Sequence, residues 1–349
     1  MPLGYAAIGA LAVIMALVLF LPFSVKKVEE ELEAFLLVMG LAAATVSGRW
    51  SLHLVSEAVT GPVPITLAVL GAGFVFRLVR PRLRRFVNDL VWLAGPRAAV
   101  AGFVFLLGLC SSLITAIIAA LVLAEIVTAL ELDRRTETRF VVCACYAIGL
   151  GAALTPLGEP LSTIVTAKLK GPPHFADFLF LARLLTWWIL PGLLAVSGLA
   201  AVWAGPSENR GGTLKEDRIE TNRDVVLRAG KVYIFVMALV CLGAGLTPLA
   251  ERLMAVAPPW ALFWLNSASA VLDNATLAAA EIVPSMSRSQ LAFCLMGLLV
   301  AGGMLIPGNI PNIVCASKLG IRSREWAATA VPMGLAMMAV YFVLLMMML

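Results

Sequence analysis

Long charge-free apolar runs alternate with short polar stretches along the whole chain. No Asp, Glu, Lys or Arg occurs in 1–25, 98–124, 140–158, 184–207, 232–250, 289–317 or 326–349. Several of these runs exceed the roughly 20 residues that a membrane helix needs. The pattern predicts helices at about 4–24, 32–48 and 62–79, an Arg-rich linker, and an apolar block at 98–130. A segment at 140–169 follows, broken near 155–160, and then a helix at 178–205. After a mixed-charge linker (206–230) come a helix at 231–249, a block at 258–284, a broken segment at 290–319 and a last helix at 326–348. Within the Arg-rich linker, Leu83, Phe86, Val87, Leu90, Val91 and Ala94 recur at three- and four-residue steps. Such spacing predicts an amphipathic helix, lying at the membrane interface or gripping a partner subunit.

The two halves resemble each other. Residues 111–127 (SSLITAIIAALVLAEIV) and 267–283 (SASAVLDNATLAAAEIV) align without a gap, and both end in Ala-Glu-Ile-Val. Each leads into an interrupted stretch, GAALTPLGEPLSTIVTAKL (151–169) or GGMLIPGNIPNIVCASKL (302–319). Unpaired backbone groups cost several kcal/mol in lipid, so irregular backbone survives only where protein buries it or a cavity hydrates it. Interrupted apolar segments at matching places in two halves point to a transport site.

Composition sharpens this reading. Only 13% of residues are charged, against about 25% in a soluble domain. The expectation is an all-α polytopic membrane protein, multi-pass in the inner (plasma) membrane and in contact with membrane lipid. The net charge of +5 marks membrane edges rather than nucleic acid. Lys26 and Lys27 follow the first apolar run, the reverse of a cleaved signal, which predicts a retained helix. The six Cys lie in apolar runs and read as small packing residues.

Lys and Arg in short loops set orientation. Arg77 to Arg85, the linker 206–230, and Lys318 with Arg322 and Arg324 are expected on the cytoplasmic side. Block 98–130 is flanked by Arg97 and by Arg134-Arg135, so it should enter and return as a re-entrant hairpin turning near Ser111-Ser112 and Thr115. Block 258–284 should do the same from outside, turning near Asp273-Asn274. The expected organisation is additional N-terminal helices (1–60), a first inverted repeat (61–205), a cytoplasmic linker (206–230) and a second inverted repeat (231–349).

Four acids fall inside the apolar segments: Glu125, Glu159, Asp273 and Glu281. An intramembrane acid marks an ion path or proton relay by default. Half one gathers Ser111, Ser112, Thr115, Thr155, Glu159 and Ser162. Half two gathers Ser269, Asp273, Asn274, Thr276, Asn309 and Asn312. Carboxylate, amide, hydroxyl and carbonyl oxygens suit a hard cation, and sodium is expected at Asp273, Asn274 and Asn309. Glu125 and Glu281, two turns from the hairpin tips, are weaker candidates. Aligned on Lys168 and Lys318, Glu159 corresponds to Asn309; aligned on the prolines, the register slips by one. Asp273 corresponds to Ile117. Lys168 and Lys318 read as helix-end caps and interface anchors, and His53 and His174 as surface residues. Asn266 fits a packing bond or the second cluster.

Leu272-Asp273-Asn274-Ala275-Thr276, Gly302-Gly303, Pro307 to Ile313 and Thr155 to Pro160 carry a resemblance to the ion transporter superfamily over residues 60–349. That group holds D-type sodium/proton antiporters, arsenite permeases and dicarboxylate/sodium symporters. Within it, the chain is most similar to a bacterial cation transporter family of unknown substrate. The resemblance implies inverted repeats with two re-entrant hairpins and two broken helices, a central ion site, and often a homodimer.

The leading expectation is proton-coupled transport of a small cation, sodium/proton antiport by alternating access. No cofactor is expected beyond a bound sodium ion. The alternative is a proton- or sodium-coupled carrier of a small oxyanion or carboxylate, held by the half-helix ends after Pro160 and Pro311. An enzyme is not expected: the two His are far apart, H-E-x-x-H is absent, and no G-x-x-x-x-G-K-[ST] loop occurs.

Overall fold

The computed structural model describes residues 5–130, 132–204, 222–254, 259–271 and 274–347. Every regular element among them is helical: α1 (Tyr5–Ser24), α2 (Lys26–Glu30), α3 (Leu32–Val46), α4 (Leu52–Thr60), α5 (Pro62–Ala94), α6 (Pro96–Ile114), α7 (Ala116–Leu130), α8 (Arg134–Ala152), α9 (Pro160–Lys168), α10 (Phe180–Trp203), α11 (Asn222–Met254), α12 (Pro259–Leu265), α13 (Asn274–Glu281), α14 (Arg288–Gly302), α15 (Ile310–Leu319) and α16 (Ser323–Met346). Short 3-10 turns cover Asn266–Ala270 and Ile306–Gly308. Five of the helical stretches are long and apolar enough to cross a membrane. The protein is an all-α, multi-pass membrane protein.

Elements α5 to α10 match α11 to α16 in order. The openers α5 and α11 both have 33 residues, and the closers α10 and α16 both have 24. Contacts also trade places: α7 packs on α15, and α9 packs on α13. Each hairpin's second arm therefore meets the other half's second half-helix.

Local chemistry explains the boundaries. Asp133 caps α8 by accepting from the Arg135 and Thr136 amides. Ser287 and Gln290 form a capping box on α14, which satisfies two otherwise orphaned N–H groups. Pro160 opens α9, where its missing N–H costs nothing. Gly320 ends α15 in the left-handed conformation, φ 62°, as glycine does readily.

Two boundaries differ from the hydropathy reading. Residues 80–94 are not a separate linker element; they continue α5 through Pro81. α5 begins at Pro62 as the hydropathy reading expects, and the short α4 precedes it. Residues 222–230, expected in the linker, are the first turns of α11, while 205–221 lie outside the described residues.

Loops that charge counting assigned to one side are in contact. Arg134 donates to the Leu319 carbonyl at 3.0 Å and the Gly320 carbonyl at 2.6 Å, and it pairs with Glu325 at 2.7 Å. At the other set of loops, the His174 ring nitrogen lies 3.1 Å from the Pro284 carbonyl and 2.9 Å from that of Met286.

Candidate functional site

The first broken helix is interrupted at 153–159 and the second at 303–309. The same geometry holds both breaks, at a constant shift of 150 residues. Ser162 donates to the Ala152 carbonyl at 3.4 Å, and Asn312 to the Gly302 carbonyl at 2.9 Å. A side chain at Gly158 would strike the Ala152 carbonyl, and one at Gly308 the Gly302 carbonyl. Glycine is required wherever backbone must approach backbone so closely. Glu159 and Asn309 both occupy the N-cap of the second half-helix in extended conformation (φ −155° and −153°), and neither side chain turns back to cap its own helix. The two residues are equivalent, and the register set by Lys168 and Lys318 is the correct one.

The hairpins are not gap-free equivalents. Ser111 Oγ donates to the Ile148 carbonyl at 3.0 Å, and Ser269 Oγ to the Leu298 carbonyl at 3.0 Å. Ile148 and Leu298 are related by the shift of 150, so Ser111 corresponds to Ser269, not to Ser267. Gly108 against Ala147, and Asn266 against Gly297, give the same register. The first arms are thus 158 residues apart, while Glu125 and Glu281, on the second arms, are 156 apart in sequence. The second half is therefore two residues shorter around its tip than the first. Counted along the first arm, Asp273 corresponds to Thr115 rather than Ile117. Asp273 itself lies outside the described residues.

A cavity of about 390 Å³ opens where the first tip and both breaks converge. Thr115, Ile117, Glu159 and Thr163 line it from half one, and Asn309 and Ile310 from half two. Glu159 and Asn309 are 7% and 8% exposed. The Asn309 amide rests against Gly149, so it crosses from one half to the other. Among the described residues, no Lys or Arg lines the cavity.

The other sequence candidates lie beside the cavity or apart from it. Thr155 Oγ1 donates to the Ser112 carbonyl at 2.5 Å, which ties break to tip, and Ser112 Oγ donates to Leu109 at 2.8 Å. Their hydroxyl protons are committed to structure. Asn274 and Asn312 meet at Gly302: the Asn274 amide lies against its Cα, and Asn312 also donates to Leu305 at 2.9 Å. Asn312 Oδ1 and both amide atoms of Asn274 are buried with no hydrogen-bond partner among the described residues. Thr276 falls within α13, but its side chain lies outside what is described.

Glu125 and Lys318 form an ion pair, 7% and 5% exposed, that joins α7 to α15. Lys318 is therefore no interfacial anchor. Sequence reasoning missed this partner, although the matching of α7 with the other half's broken helix is the kind of contact that two related halves imply. It also missed Cys294, whose Sγ donates to Glu281 Oε2 at 2.7 Å. Comparing positions 144 and 294 at the shift of 150 would have flagged an Ala-to-Cys difference. No group of three His, Cys, Asp or Glu capable of holding a metal occurs among the described residues.

Curated proteins give no match to this sequence. The model of the family described as "protein of unknown function (DUF1646)" matches residues 8–348. That is nearly the whole chain, and the protein belongs to this family.

Proposed function

We propose that the protein is a secondary active transporter of the inner membrane that exchanges a small cation, sodium first among the candidates, for protons. The observation that supports this most is the pairing of Glu159 with Asn309, equivalent N-cap residues from two breaks that wall one cavity. A carboxylate placed within the bilayer costs about 2.5–3.5 kcal/mol on insertion scales, so such a residue is retained for a use. Its charge is neutralised either by a proton or by a cation held with the Asn309 amide oxygen, the Thr115 hydroxyl and the freed carbonyls. One carboxylate then excludes one ligand whenever it holds the other, which is the elementary requirement for exchange. Asp273 adds a second acid at the other tip in this reading, and movement of one half against the other exposes the cavity to each side in turn.

A second reading rests on the helix ends. Both α9 and α15 begin at the cavity wall, and each end carries roughly half a positive charge. With Glu159 protonated, the cavity would favour a small anion, giving proton-coupled anion uptake.

Flux in proteoliposomes under a pH gradient separates the two, with sodium, lithium, potassium and small oxyanions offered in turn. Exchange predicts sodium-dependent proton release that Glu159→Gln abolishes while the protein stays folded. Sodium-independent, oxyanion-dependent proton uptake would overturn exchange in favour of the second reading.

A further inference from the structure

The halves treat their shared acid differently. On α7, Glu125 is neutralised by the Lys318 ammonium. On α13, Glu281 accepts a hydrogen bond from a thiol, Cys294 Sγ to Oε2. Its other oxygen, Oε1, is buried and has no hydrogen-bond partner among the described residues. Asn266 interacts with the same carboxyl and is itself fully buried. Its Nδ2 donates to the Cys294 carbonyl at 3.1 Å, and its Oδ1 is a second buried oxygen without a donor. The repeat registers show what was built here. Asn266 and Cys294 stand where half one has Gly108 and Ala144. Half two has surrounded its Glu with an amide and a thiol, where half one has only small apolar groups and supplies a Lys instead.

Two interacting side chains thus each bury an oxygen that has no donor among the described residues. A carboxyl proton on Glu281 Oε1, given to Asn266 Oδ1, would satisfy both atoms. It would also remove the uncompensated charge that an isolated buried carboxylate cannot sustain. We propose that Glu281, Asn266 and Cys294 form a proton-binding site in the second half, separate from the cavity of Glu159 and Asn309. Among the described side chains, the neighbouring elements supply no cation to the carboxyl. α14 turns Cys294 to it, and its Arg288 is exposed at the first turn. α9 carries Lys168 at its last turn, and no nitrogen of it bonds either Glu281 oxygen. On α11, Lys231 pairs with Glu33 at 3.7 Å. The 3-10 turn Asn266–Ala270 brings no ionisable group.

Infrared difference spectroscopy of the purified full chain, titrated from acid to alkaline pH, tests this without any transport assay. The Cys294 S–H stretch lies in a window free of other protein bands and reports on the charge of its acceptor. The expected result is a protonated-carboxyl C=O band that disappears at alkaline pH together with a shift of the S–H band. Glu281→Gln should remove both changes. Cys294→Ala should remove the S–H band and keep the carboxyl band, and Asn266→Leu should move the carboxyl frequency. The double variant Glu125→Gln with Lys318→Met, which removes the buried pair of the other half without leaving a lone charge, serves as the control that leaves the Glu281 bands in place. A spectrum with no titrating carboxyl band, or one unchanged by Glu281→Gln, overturns the proposal. So does a carboxyl band that sodium removes at constant acid pH, since the site would then be a cation site. Because the readout is not flux, these outcomes leave the exchange reading at Glu159 to be judged separately.

Discussion

Thr115 has φ 71° and ψ 148°, a region that is close to glycine-only and costs about 1–3 kcal/mol for other residues. A β-branched residue is the least suited to it. The strain sits at the hairpin tip, on the cavity wall, where the next residue's amide donates to the Gly158 carbonyl at 2.9 Å. This bond fixes the tip to the break and holds the Thr115 hydroxyl at the cavity edge. Thr115→Gly should therefore raise thermal stability in detergent, by about 1 kcal/mol, while lowering cation-coupled flux. A thermal scan beside the flux assay reads both. A loss of stability would mean that Thr115 does not hold this conformation. Glycines carry the opposite constraint. At Gly158 and Gly308 a methyl group would meet a backbone carbonyl, so Ala at either position should destabilise, and by similar amounts, because the two breaks share one geometry.

Between elements, the Glu125–Lys318 pair is the strongest local commitment. It is buried on both sides and joins a hairpin arm of one half to a half-helix of the other. Removing one partner of such a pair leaves an uncompensated buried charge and costs about 3–5 kcal/mol, whereas replacing both by apolar groups is often neutral. Glu125→Gln or Lys318→Met alone should reduce the yield of folded protein sharply, and the double variant should recover most of it. Size-exclusion profiles of the three variants are the check; a double variant no better than the singles would show that the pair matters for something other than charge balance. The existence of these elements was legible in hydropathy, and so were the breaks, because Pro and Gly interrupt apolar runs at matching places. Three things were not legible. The continuation of α5 through 80–94 is polar on one face, and hydropathy reports preference for lipid rather than helicity. The shortening by two residues near Asp273 was invisible because the Ala-Glu-Ile-Val ends align the second arms perfectly and conceal the shift in the first. The partner of Lys318 is set by packing between distant segments, which no local pattern encodes. At the site, Glu159 and Asn309 were picked out by residue type and do share a cavity. Ser112 and Thr155 were picked out for the same reason, but they spend their hydroxyls on backbone carbonyls.

For the whole molecule, charge counting and tertiary contacts converge. Arg134 reaches the loop after α15, and His174 reaches the loop before α14. The first contact joins two loops that positive-residue counts placed on one side independently, and the second joins two loops at the opposite ends of the same broken helices. If α6 and α7 form a hairpin, Gly95 and Thr136 lie on the same side of the membrane, and Phe175 and Pro284 lie together on the other. The length of α6 makes this a demanding test. Its 19 residues span about 28 Å when straight, close to the roughly 30 Å of the hydrocarbon core. An α6 standing upright would carry Thr115 nearly to the far face, and the cavity would open there; a tilted α6 would stop it midway. Single cysteines answer this. Five of the six native Cys are buried and Cys110 is only partly so, which makes Cys110→Ser a quiet background. Gly95→Cys and Thr136→Cys should react with a membrane-impermeant maleimide only from the cytoplasmic side, and Phe175→Cys and Pro284→Cys only from the opposite side. Thr115→Cys should react from the opposite side too, and cavity ligands should slow it. Labelling of Gly95→Cys and Thr136→Cys from opposite sides would rule out the hairpin. The second half would then lose its inverted relation to the first, and with it the basis for alternating access.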